Sequence, residues 1–553
     1  MVVLDEGSKR APDVRWLRAT YPAMFATFPI IGVAANNPGY YRLIDVLVLC
    51  LIAIVAVAVL YGIAYAFIRT LTRSDSGPDV AALVSLVAIA LFYFYGPLPL
   101  GAVKGWAVAH PVYSLAIVVA IAMGCYFAKK RGMQRKLPAM STVSRFLALT
   151  GGILVCVSIG RLAYDEISDI VAIHRSELAR DLARPVPMRV AGVGSDGGSS
   201  GGALTPKRDI YIILLDEYAA TDVYRERYGY DNRPFEDSLR ALGFHIPRDL
   251  RSNYANTLLS ITSLLNFAQI QPIANVMSPG SKDFTPVAYL MEHNRTERFL
   301  KSQGYRFVFF PSAWYSPTRA NSDADEEYDP YKHFSLARAM RRSWIAQYFA
   351  GMTMFSKLLP RMATENEVDA EHEMRDFAGI PSIAADPRLT FTFVHVLMPH
   401  LGYKVDSTCA PLVRSPGITG LSGELHCLNY QTLKMVHALI AKSSVQPIII
   451  LQGDHGSQSL KQFVSYTALP NTDQARERFR PFGAYYLPGS PAGVIPDSTS
   501  LVNVLRYVFD YYFNTDLKPL PNTMYYSHWM YPYRMTEVDA NFHVVRQQPA
   551  RSR

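Results

Sequence analysis

The sequence predicts two parts of different fold class, an N-terminal bundle of transmembrane helices and a C-terminal α/β domain. Apolar residues concentrate before about residue 165, and charged residues are enriched after it. The later part alternates short apolar runs, which fit buried strands, with helical patterns. We therefore expect about five membrane spans followed by an α/β/α sandwich with a mostly parallel sheet.

Four stretches are apolar enough and long enough to cross a bilayer, which takes roughly 20 residues per helix. They cover residues 43 to 68, 79 to 100, 110 to 128 and 146 to 164. A fifth stretch, residues 17 to 35, is shorter and contains Pro22 and Pro29, so it is either another span or an interfacial or re-entrant helix. No cleavable small-residue site follows it, so we expect it to stay attached.

The basic residues fall unequally on the two sides of this arrangement. With five spans, the clusters at residues 9 to 18, 69 to 73 and 129 to 136 all lie on one side. The positive-inside rule places that side in the cytoplasm and the C-terminal domain outside. The net charge of +9 therefore includes topology signals and does not indicate a nucleic-acid partner. We expect a multi-pass protein of a bacterial inner membrane with its catalytic domain in the periplasm.

The five cysteines separate in the same way. Cys50, Cys125 and Cys156 fall inside apolar segments, where they suit packing. Cys409 and Cys427 lie in the C-terminal part, in loop-like sequence without a CxxC or histidine ligand pattern. This context favours a disulfide over a metal site, and hence an oxidising compartment.

The region between the two parts contains a mixed segment and a polar run. Residues 165 to 183 mix charged and apolar residues, which suits a juxtamembrane helix ending near Pro185. The Gly/Ser-rich residues 191 to 205 cannot bury a core and predict a flexible tether. We therefore expect a transmembrane domain over 1 to 165, a juxtamembrane helix and linker over 166 to 207, and the α/β domain over 208 to 553.

Two of the predicted strands run into acidic residues. The predicted strands cover residues 210 to 215, 307 to 310, 389 to 397 and 447 to 452. Asp216 and Glu217 follow the first strand, and Asp454 and His455 follow the last one after a glycine. Ligands bind at the carboxyl ends of parallel strands, so these residues predict a metal site, with Glu217 as an additional candidate. Taken singly, each motif also fits a strand-end cap or a turn.

A hydroxyl side chain lies between these strands in the sequence. Thr257 follows a polar loop and opens a predicted helix, whose N-terminal N–H groups and dipole favour anions. A nearby metal lowers the pKa of such a hydroxyl and makes it a nucleophile. The alternative is an N-cap threonine. Ser260 is the second hydroxyl candidate, one turn inside the helix.

Residues 331 to 361 interleave basic and aromatic side chains at helical spacing. This pattern suits contact with a membrane surface through Arg338, Arg341, Arg342 and Trp344. A helix packed on the sheet with a solvated basic face fits the same residues equally well.

The order of these parts resembles the membrane-anchored alkaline phosphatase and sulfatase superfamily, which includes lipoteichoic acid synthase and the phosphoethanolamine and phosphoglycerol transferases. The matching positions are Asp216, Thr257, Pro399 with His400 and Tyr403, and Asp454 with His455. The resemblance implies an α/β/α fold of alkaline-phosphatase type. It also implies that Asp216, Thr257, Asp454 and His455 bind one catalytic metal and that His400 contacts the phosphoryl or leaving group.

Three positions depart from the family pattern. The transferases usually have Glu where Asp216 stands, and they have a second histidine after the DHG segment that helps to hold another metal. No histidine lies between Gly456 and Pro521 in this chain, so the sequence does not predict a second metal. Thr257 cannot become the formylglycine that sulfate-ester sulfatases need, which argues against ordinary sulfatase activity.

The implied function is a metal-dependent phosphoryl-group transferase of the phosphoethanolamine or phosphoglycerol type. Its donor would be a phospholipid of the bilayer and its acceptor a cell-envelope glycan or lipid. The donor set favours one Zn²⁺ or Mn²⁺ over Mg²⁺ or Ca²⁺. The alternatives are a sulfatase-like phosphate-ester hydrolase and a non-catalytic envelope assembly module on the same fold. Retention of every proposed metal position argues against the module.

Overall fold

The computed structural model describes ten segments of the chain and groups them into two compact units. The described residues are 17–72, 77–93, 140–189, 207–312, 316–328, 340, 343–353, 365–413, 416–459 and 469–547. Unit 1 comprises Met1–Glu166 and Phe334–Met362, and unit 2 comprises Ile167–His333 and Ala363–Arg553.

The helices of the described residues belong to both units. In chain order they are α1 (Leu17–Ala35), α2 (Leu43–Thr72), α3 (Gly77–Tyr93), α4 (Met140–His174), α5 (Glu177–Ala183), α6 (Thr221–Tyr228), α7 (Arg233–Ala241), α8 (Thr257–Asn266), α9 (Thr285–Glu292), α10 (Arg295–Ser302), α11 (Ser316–Arg319), α12 (Trp344–Met352), α13 (Glu365–Ile383), α14 (Leu421–Lys442), α15 (Thr472–Phe479) and α16 (Leu501–Phe513). Helix α12 belongs to unit 1 although the elements around it in sequence belong to unit 2.

The strands of the described residues all lie in unit 2. They are β1 (Ile210–Leu215), β2 (Asp249–Arg251), β3 (Arg306–Phe310), β4 (Glu326–Glu327), β5 (Thr390–Val396), β6 (Ile448–Gly453), β7 (Gly483–Tyr486), β8 (Ser498–Ser500), β9 (Met524–Tyr526), β10 (Thr536–Val538) and β11 (Val544–Gln547).

The helices of unit 1 are strongly apolar. Two helical segments of the chain, Leu43–Thr70 and Ser141–His174, are long and apolar enough to cross a membrane. Helix α2 exposes a continuous apolar face whose side chains are each more than half accessible: Leu47, Leu51, Val55, Val59, Ile63 and Phe67. A face of this size suits contact with lipid rather than water. The bundle of five spans stays a prediction, because the predicted span at residues 110 to 128 lies outside the described residues.

Helix α1 covers the stretch that the sequence left open between a span and an interfacial helix. It runs unbroken through Pro22 and Pro29. Ala26 packs with Val57 of α2 and Ile89 of α3, and the Tyr93 hydroxyl donates a 2.7 Å hydrogen bond to the Ala26 carbonyl oxygen. Helix α1 is therefore an integral part of the helical packing in unit 1.

Helix α12 also packs within unit 1. Ile345 and Phe349 are buried in a cluster with Ile30 and Ala34 of α1, and the ring of Trp344 lies 5.7 Å from that of Tyr40. The alternative of a helix packed on the sheet is therefore wrong for this segment, because its apolar face is covered by apolar helices. Arg338, Arg341 and Arg342 lie outside the described residues, so their contact with a membrane stays a prediction.

The main sheet of unit 2 has the order β4-β3-β5-β1-β6-β7. All neighbouring pairs are parallel except β6 with β7. The four predicted strands correspond to β1, β3, β5 and β6, and every residue of β1, β5 and β6 is buried. The predicted α/β fold with a mostly parallel sheet is confirmed for this unit. Continuous apolar runs form such strands because both faces of the sheet are covered.

The two faces of the sheet carry different side chains. On one face, Ile213 packs with Phe377 of α13 and Leu428 of α14. On the other face, neighbouring strands stack phenylalanine rings: Phe307 lies on Phe391 and Phe309 on Phe393, with ring centroids 4.9 and 5.9 Å apart. The alternation along β3 and β5 thus divides the core into two layers.

The segment before the predicted tether packs on unit 2. Leu178 and Leu182 of α5 are buried, and Arg298 donates a 2.9 Å hydrogen bond to the Leu182 carbonyl oxygen. The Asp516 N–H donates to the Pro187 carbonyl oxygen at 2.8 Å. Residues 167–189 therefore lie in the same compact unit as the domain that was predicted to begin at residue 208. The predicted tether itself, residues 191 to 205, lies outside the described residues.

A disulfide joins Cys409 and Cys427, whose Cα atoms lie 5.2 Å apart. Cys409 belongs to the loop after β5, whereas Cys427 is buried in α14 and not in a loop as its sequence context suggested. Cys50 and Cys156 are free. The bond therefore ties the segment after β5 to a core helix of unit 2.

We expect a double Cys409→Ser and Cys427→Ser variant to lower the melting temperature of the full-length protein. Closing a loop of this length restricts the unfolded chain and stabilises the folded state by about 3 kcal/mol. Thermal unfolding in detergent measures the change. The control is Cys156→Ser, which removes an exposed free thiol. Equal melting temperatures for the two variants would contradict the expectation.

Candidate metal centre

The register of three central strands brings two acidic residues together. Leu215, the last residue of β1, lies opposite Val396 of β5 and Gly453 of β6. The chain therefore leaves β1 and β6 at the same sheet edge, and the next residues are Asp216 and Asp454. Each is 1% exposed.

These two carboxylates form a compact donor set with His455. One ligand atom from each of the three residues lies within 4.8 Å of the others. Asp454 Oδ1 accepts hydrogen bonds from the N–H groups of Glu217 (3.1 Å) and His455 (2.9 Å), which leaves Oδ2 facing His455 Nε2 at 3.1 Å. Across the described segments, Asp216 Oδ1 has no hydrogen-bond partner. An unsatisfied buried carboxylate oxygen beside a second carboxylate and an imidazole fits a divalent cation.

The two glycines beside this donor set are required by close backbone contacts. A Cβ atom on Gly453 would lie 2.3 Å from the Tyr218 carbonyl oxygen, and one on Gly456 would lie 2.0 Å from the Glu477 carbonyl oxygen. Both contacts involve backbone atoms, which cannot move aside as a flexible side chain can. Glycine is therefore needed at both positions, because the chain passes close to the backbone of the segment after β1 and of α15.

Thr257 reaches the donor set from the first residue of α8. Its Oγ1 lies 3.0 Å from His455 Nε2, and the residue is 8% exposed. The N-cap is Asn256, whose side chain accepts a 3.1 Å hydrogen bond from the Leu258 N–H. The alternative of an N-cap threonine is therefore wrong, because the neighbouring asparagine has that role. The Thr257 hydroxyl is directed to the imidazole instead.

Ser260, the other predicted hydroxyl, lies one turn further along α8. Its hydroxyl donates a hydrogen bond to the Asp454 carbonyl oxygen. The Ser260 proton is therefore already used in a hydrogen bond to the backbone of a proposed metal ligand. The structure therefore brings both hydroxyls near the strand end, but only Thr257 contacts the ligand nitrogen of His455.

Glu217 lies outside the donor set, and its backbone adopts φ +61°. Its Oε1 accepts a 2.6 Å hydrogen bond from Arg478, and its Oε2 accepts one of 3.1 Å from the Leu401 N–H. Arg478, on α15, was not singled out in the sequence. The only local signal was a run of basic residues after the DHG segment, a pattern that is common on solvated helices.

His400, in the loop after β5, lies near the same carboxylate oxygen of Glu217 that accepts from Arg478. Its Nε2 is 3.9 Å from Glu217 Oε1, and its side chain is 47% exposed. Two residues of the same loop anchor it, since Tyr403 is buried and the Lys404 ammonium donates to the Leu397 carbonyl oxygen at 3.2 Å. His395, which precedes this loop, is fully buried in β5, as expected for a core residue.

The carboxylates respond differently to burial. Burial and the neighbouring Glu217 raise the pKa of Asp216 to about 8, and burial and Asp216 raise the pKa of Asp454 well above its usual range. Burial would also raise the pKa of Glu217, but His400 and Arg478 lower it to about 2. Burial lowers the pKa of His455 well below its usual range. The imidazole is therefore neutral, which is the form that binds metals.

We expect a divalent metal to raise the melting temperature of the wild-type protein and not that of an Asp454→Asn variant. The amide keeps the shape of the carboxyl group and cannot ionise, and burial already disfavours the ionised form of Asp454. The metal-free variant should therefore be at least as stable as the metal-free wild type. Thermal unfolding with chelator and with added Zn²⁺ or Mn²⁺ measures both effects. A metal-dependent increase that survives in Asp454→Asn would argue against this donor set.

We also expect the metal-free protein to lose stability as the pH rises from about 4 to about 8. The pKa of Asp216 is about 8 in the folded protein against 3.8 ordinarily, so the folded state binds more protons across this window. Glu217, with its pKa of about 2, is ionised in both states over most of that window and contributes little slope. The measurement is the melting temperature at several pH values in chelator. The raised pKa of Asp454 adds to the same slope, so Asp216→Asn should make the profile less steep without removing it. An equally steep profile in that variant would contradict the assignment.

Comparisons with known proteins give structural likenesses only. No protein-family model matches the chain. No curated protein matches it either. The C-terminal periplasmic domain of EptC from Escherichia coli, solved in complex with Zn, is similar to 58% of this chain over 90% of its own length, with 11% identity and a TM-score of 0.38.

Two further solved structures give similar values. A protein of the alkaline phosphatase superfamily from Vibrio parahaemolyticus matches 70% of this chain and 90% of its own, with 12% identity and a TM-score of 0.39. The soluble domain of lipooligosaccharide phosphoethanolamine transferase A from Neisseria meningitidis matches 58% of this chain and 91% of its own, with 10% identity and a TM-score of 0.35. The Vibrio parahaemolyticus protein is a member of the alkaline phosphatase superfamily, which is the superfamily that the sequence motifs resemble. At these values the likeness assigns no substrate, metal or residue role.

Proposed function

We propose that unit 2 is a metal-dependent enzyme that transfers a phosphoryl-linked group through Thr257. The observation that carries this proposal is the position of Thr257 Oγ1, 3.0 Å from His455 Nε2 at the N-terminus of α8, beside the buried Asp216 and Asp454. A hydroxyl at a helix N-terminus and a carboxylate–imidazole donor set together suit attack on an anionic phosphorus centre.

Asp216, Asp454, His455 and the Thr257 oxygen are the residues that would hold the metal, which we expect to be Zn²⁺ or Mn²⁺ because the set combines carboxylate and imidazole. When bound, a divalent cation lowers the pKa of the Thr257 hydroxyl and neutralises charge that develops on phosphoryl oxygens. The N–H groups at the start of α8 favour the same negative charge.

The reaction has two steps in this proposal. In the first, the Thr257 hydroxyl releases its proton to water and Oγ1 forms a bond to phosphorus. The bond from phosphorus to the leaving oxygen breaks, and His400 gives a proton to that oxygen. In the second, His400 removes the proton of an acceptor hydroxyl, whose oxygen forms a bond to phosphorus as the bond from phosphorus to Thr257 Oγ1 breaks. Thr257 Oγ1 then regains a proton from water. The 47% exposure of His400 leaves it open to both leaving group and acceptor.

The donor that we favour is a bilayer phospholipid with a phosphoethanolamine or phosphoglycerol head group. Two helices apolar enough to span a membrane favour a location of the same chain at a bilayer, and the Cys409–Cys427 disulfide suits the periplasm. The acceptor is then a glycan or lipid of the cell envelope. Water in place of this acceptor would make the protein a phosphate-ester hydrolase.

The first test is the mass of the Thr257 peptide from protein produced in a bacterial membrane. We expect a covalent adduct on Thr257 whose mass identifies the donor head group, and none in Thr257→Ala. Ser263→Ala is the matched control, because this serine lies on the same helix and donates to the Ala268 carbonyl oxygen. The control should keep the adduct. No adduct and no metal-dependent cleavage of a simple phosphodiester would favour a non-catalytic module.

His400→Gln tests the proton transfer. We expect this variant to lower kcat for phosphodiester cleavage by about 10²- to 10⁴-fold, because glutamine can hydrogen-bond but cannot exchange a proton. Its metal content should equal that of the wild type, since His400 lies outside the donor set. His437→Gln, which changes an exposed histidine on α14, is the control. Loss of metal together with activity would mean that His400 is a ligand instead.

A further inference from the structure

Arg478 is a basic side chain in direct contact with one of the proposed metal ligands, His455. It is 13% exposed and makes a 2.6 Å ion pair with Glu217 through Nη1. Its Nε donates a 2.8 Å hydrogen bond to the Ala255 carbonyl oxygen, two residues before Thr257. The guanidinium is therefore held from two sides, by the end of β1 and by the loop that leads into α8.

The second guanidinium nitrogen points toward the reacting atoms. Arg478 Nη2 lies 3.2 Å from His455 Nε2, the same nitrogen that lies 3.0 Å from Thr257 Oγ1. His455 Nδ1 pairs with the Gly456 carbonyl oxygen at 3.0 Å, so Nδ1 carries the proton and Nε2 accepts. Two donors, one from Thr257 and one from Arg478, thus converge on one acceptor.

A nitrogen that binds a metal no longer accepts hydrogen bonds. When His455 Nε2 is a ligand, the metal takes the lone pair that Arg478 Nη2 faces, so Nη2 must shift off this nitrogen while Nη1 and Nε remain bound to Glu217 and Ala255. Because Nη2 and Thr257 Oγ1 both lie within 3.2 Å of His455 Nε2, we infer that its released N–H groups remain close to Thr257 Oγ1. A planar guanidinium fixed in this way is a strong donor to phosphoryl oxygens.

The charges around the site lead to the same conclusion. Asp216, Glu217 and Asp454 supply three buried negative charges when ionised, and Arg478 and one divalent cation supply three positive charges. Glu217 is already bound to Arg478 and to the Leu401 N–H. Among the described residues, a single group has the spacing for a metal ion. One metal and one guanidinium therefore balance the three carboxylates without a second metal.

We propose that Arg478 binds a non-bridging oxygen of the phosphoryl group at Thr257 and thereby supplies the charge of a second metal, so that the centre holds one metal per chain. This inference rests on the proposed function for the identity of the ligand. It assigns the ligand class, a tetrahedral phosphate-type anion, and a binding residue that no sequence motif marked.

The test measures two quantities on the full-length protein in detergent, metal atoms per chain and the affinity for inorganic phosphate after loading with Mn²⁺ or Zn²⁺. We expect one metal in the wild type and in all variants. Arg478→Met should weaken phosphate binding about 10- to 100-fold, the range for loss of a hydrogen bond to a charged group. Arg476→Met is the matched control. That arginine lies two residues away on α15 and pairs with Asp222 and Glu226, so its variant should bind phosphate as the wild type does.

Arg478→Met leaves the buried Glu217 without its partner, so that variant can lose its fold for reasons unrelated to phosphate. The double variant Glu217→Gln with Arg478→Met removes both charges together, and it should hold one metal and still bind phosphate weakly. Arg478→Lys keeps the charge but loses the planar fork, and it should fall between the wild type and the methionine variants.

Two results would overturn the inference: two metals per chain in the wild type, or phosphate affinity that is unchanged in the folded double variant. Its failure can be distinguished from failure of the transfer reaction. Phosphate binding that depends on Arg478 in a protein without any Thr257 adduct would support the anion site and reject the transfer. An adduct on Thr257 with phosphate binding independent of Arg478 would do the reverse.

Discussion

The arrangement of unit 2 depends on the register of β1 between β5 and β6. Because Leu215 pairs with both Val396 and Gly453, Asp216 and Asp454 emerge side by side and almost fully buried. Two neighbouring carboxylates repel each other, and removing them from water costs free energy that only a cation or protonation offsets. Backbone hydrogen bonds along three strands hold them together despite that cost. The sheet therefore holds two buried carboxylates at one place on its edge, where a cation or protons stabilise them.

The groups around the site neutralise its three carboxylates unequally. The pKa of Glu217 falls because His400 and its ion-pair partner Arg478 outweigh burial, whereas the pKa values of Asp216 and Asp454 rise because burial dominates. The site thus divides into a carboxylate neutralised by a guanidinium and a pair that requires a metal or protons. Thr257 contacts His455, which groups with the pair, whereas His400 lies near Glu217. This division is why we place the metal at Asp216 and Asp454 and the phosphoryl-binding cation at Arg478.

The sequence predicted the features that are encoded locally. A strand buried on both faces is a continuous apolar run, and an acid at its end is visible in the next residue, so β1, β6 and the proposed ligands could be predicted. Arg478 could not, because its partner Glu217 is 261 residues away and the contact depends on where α15 packs. The same reason applies to α12 and α5. The sequence shows that each of these helices has an apolar face and hence a packing partner. It does not show which element that partner is.

The residues of the site differ in solvent exposure. This difference matters for whether the proposed enzyme transfers its group to an acceptor or to water. Thr257 and His455 are 8% and 0% exposed, whereas the His400 side chain is 47% exposed. The nucleophile is therefore shielded from bulk water, and in the proposed reaction a group attached to it is reached from the His400 side. Any acceptor, sugar hydroxyl or water, must approach that histidine to lose its proton. A bound acceptor that covers His400 would exclude water from the second step. In our proposal, transfer and hydrolysis therefore share the metal donor set and differ in what packs over His400.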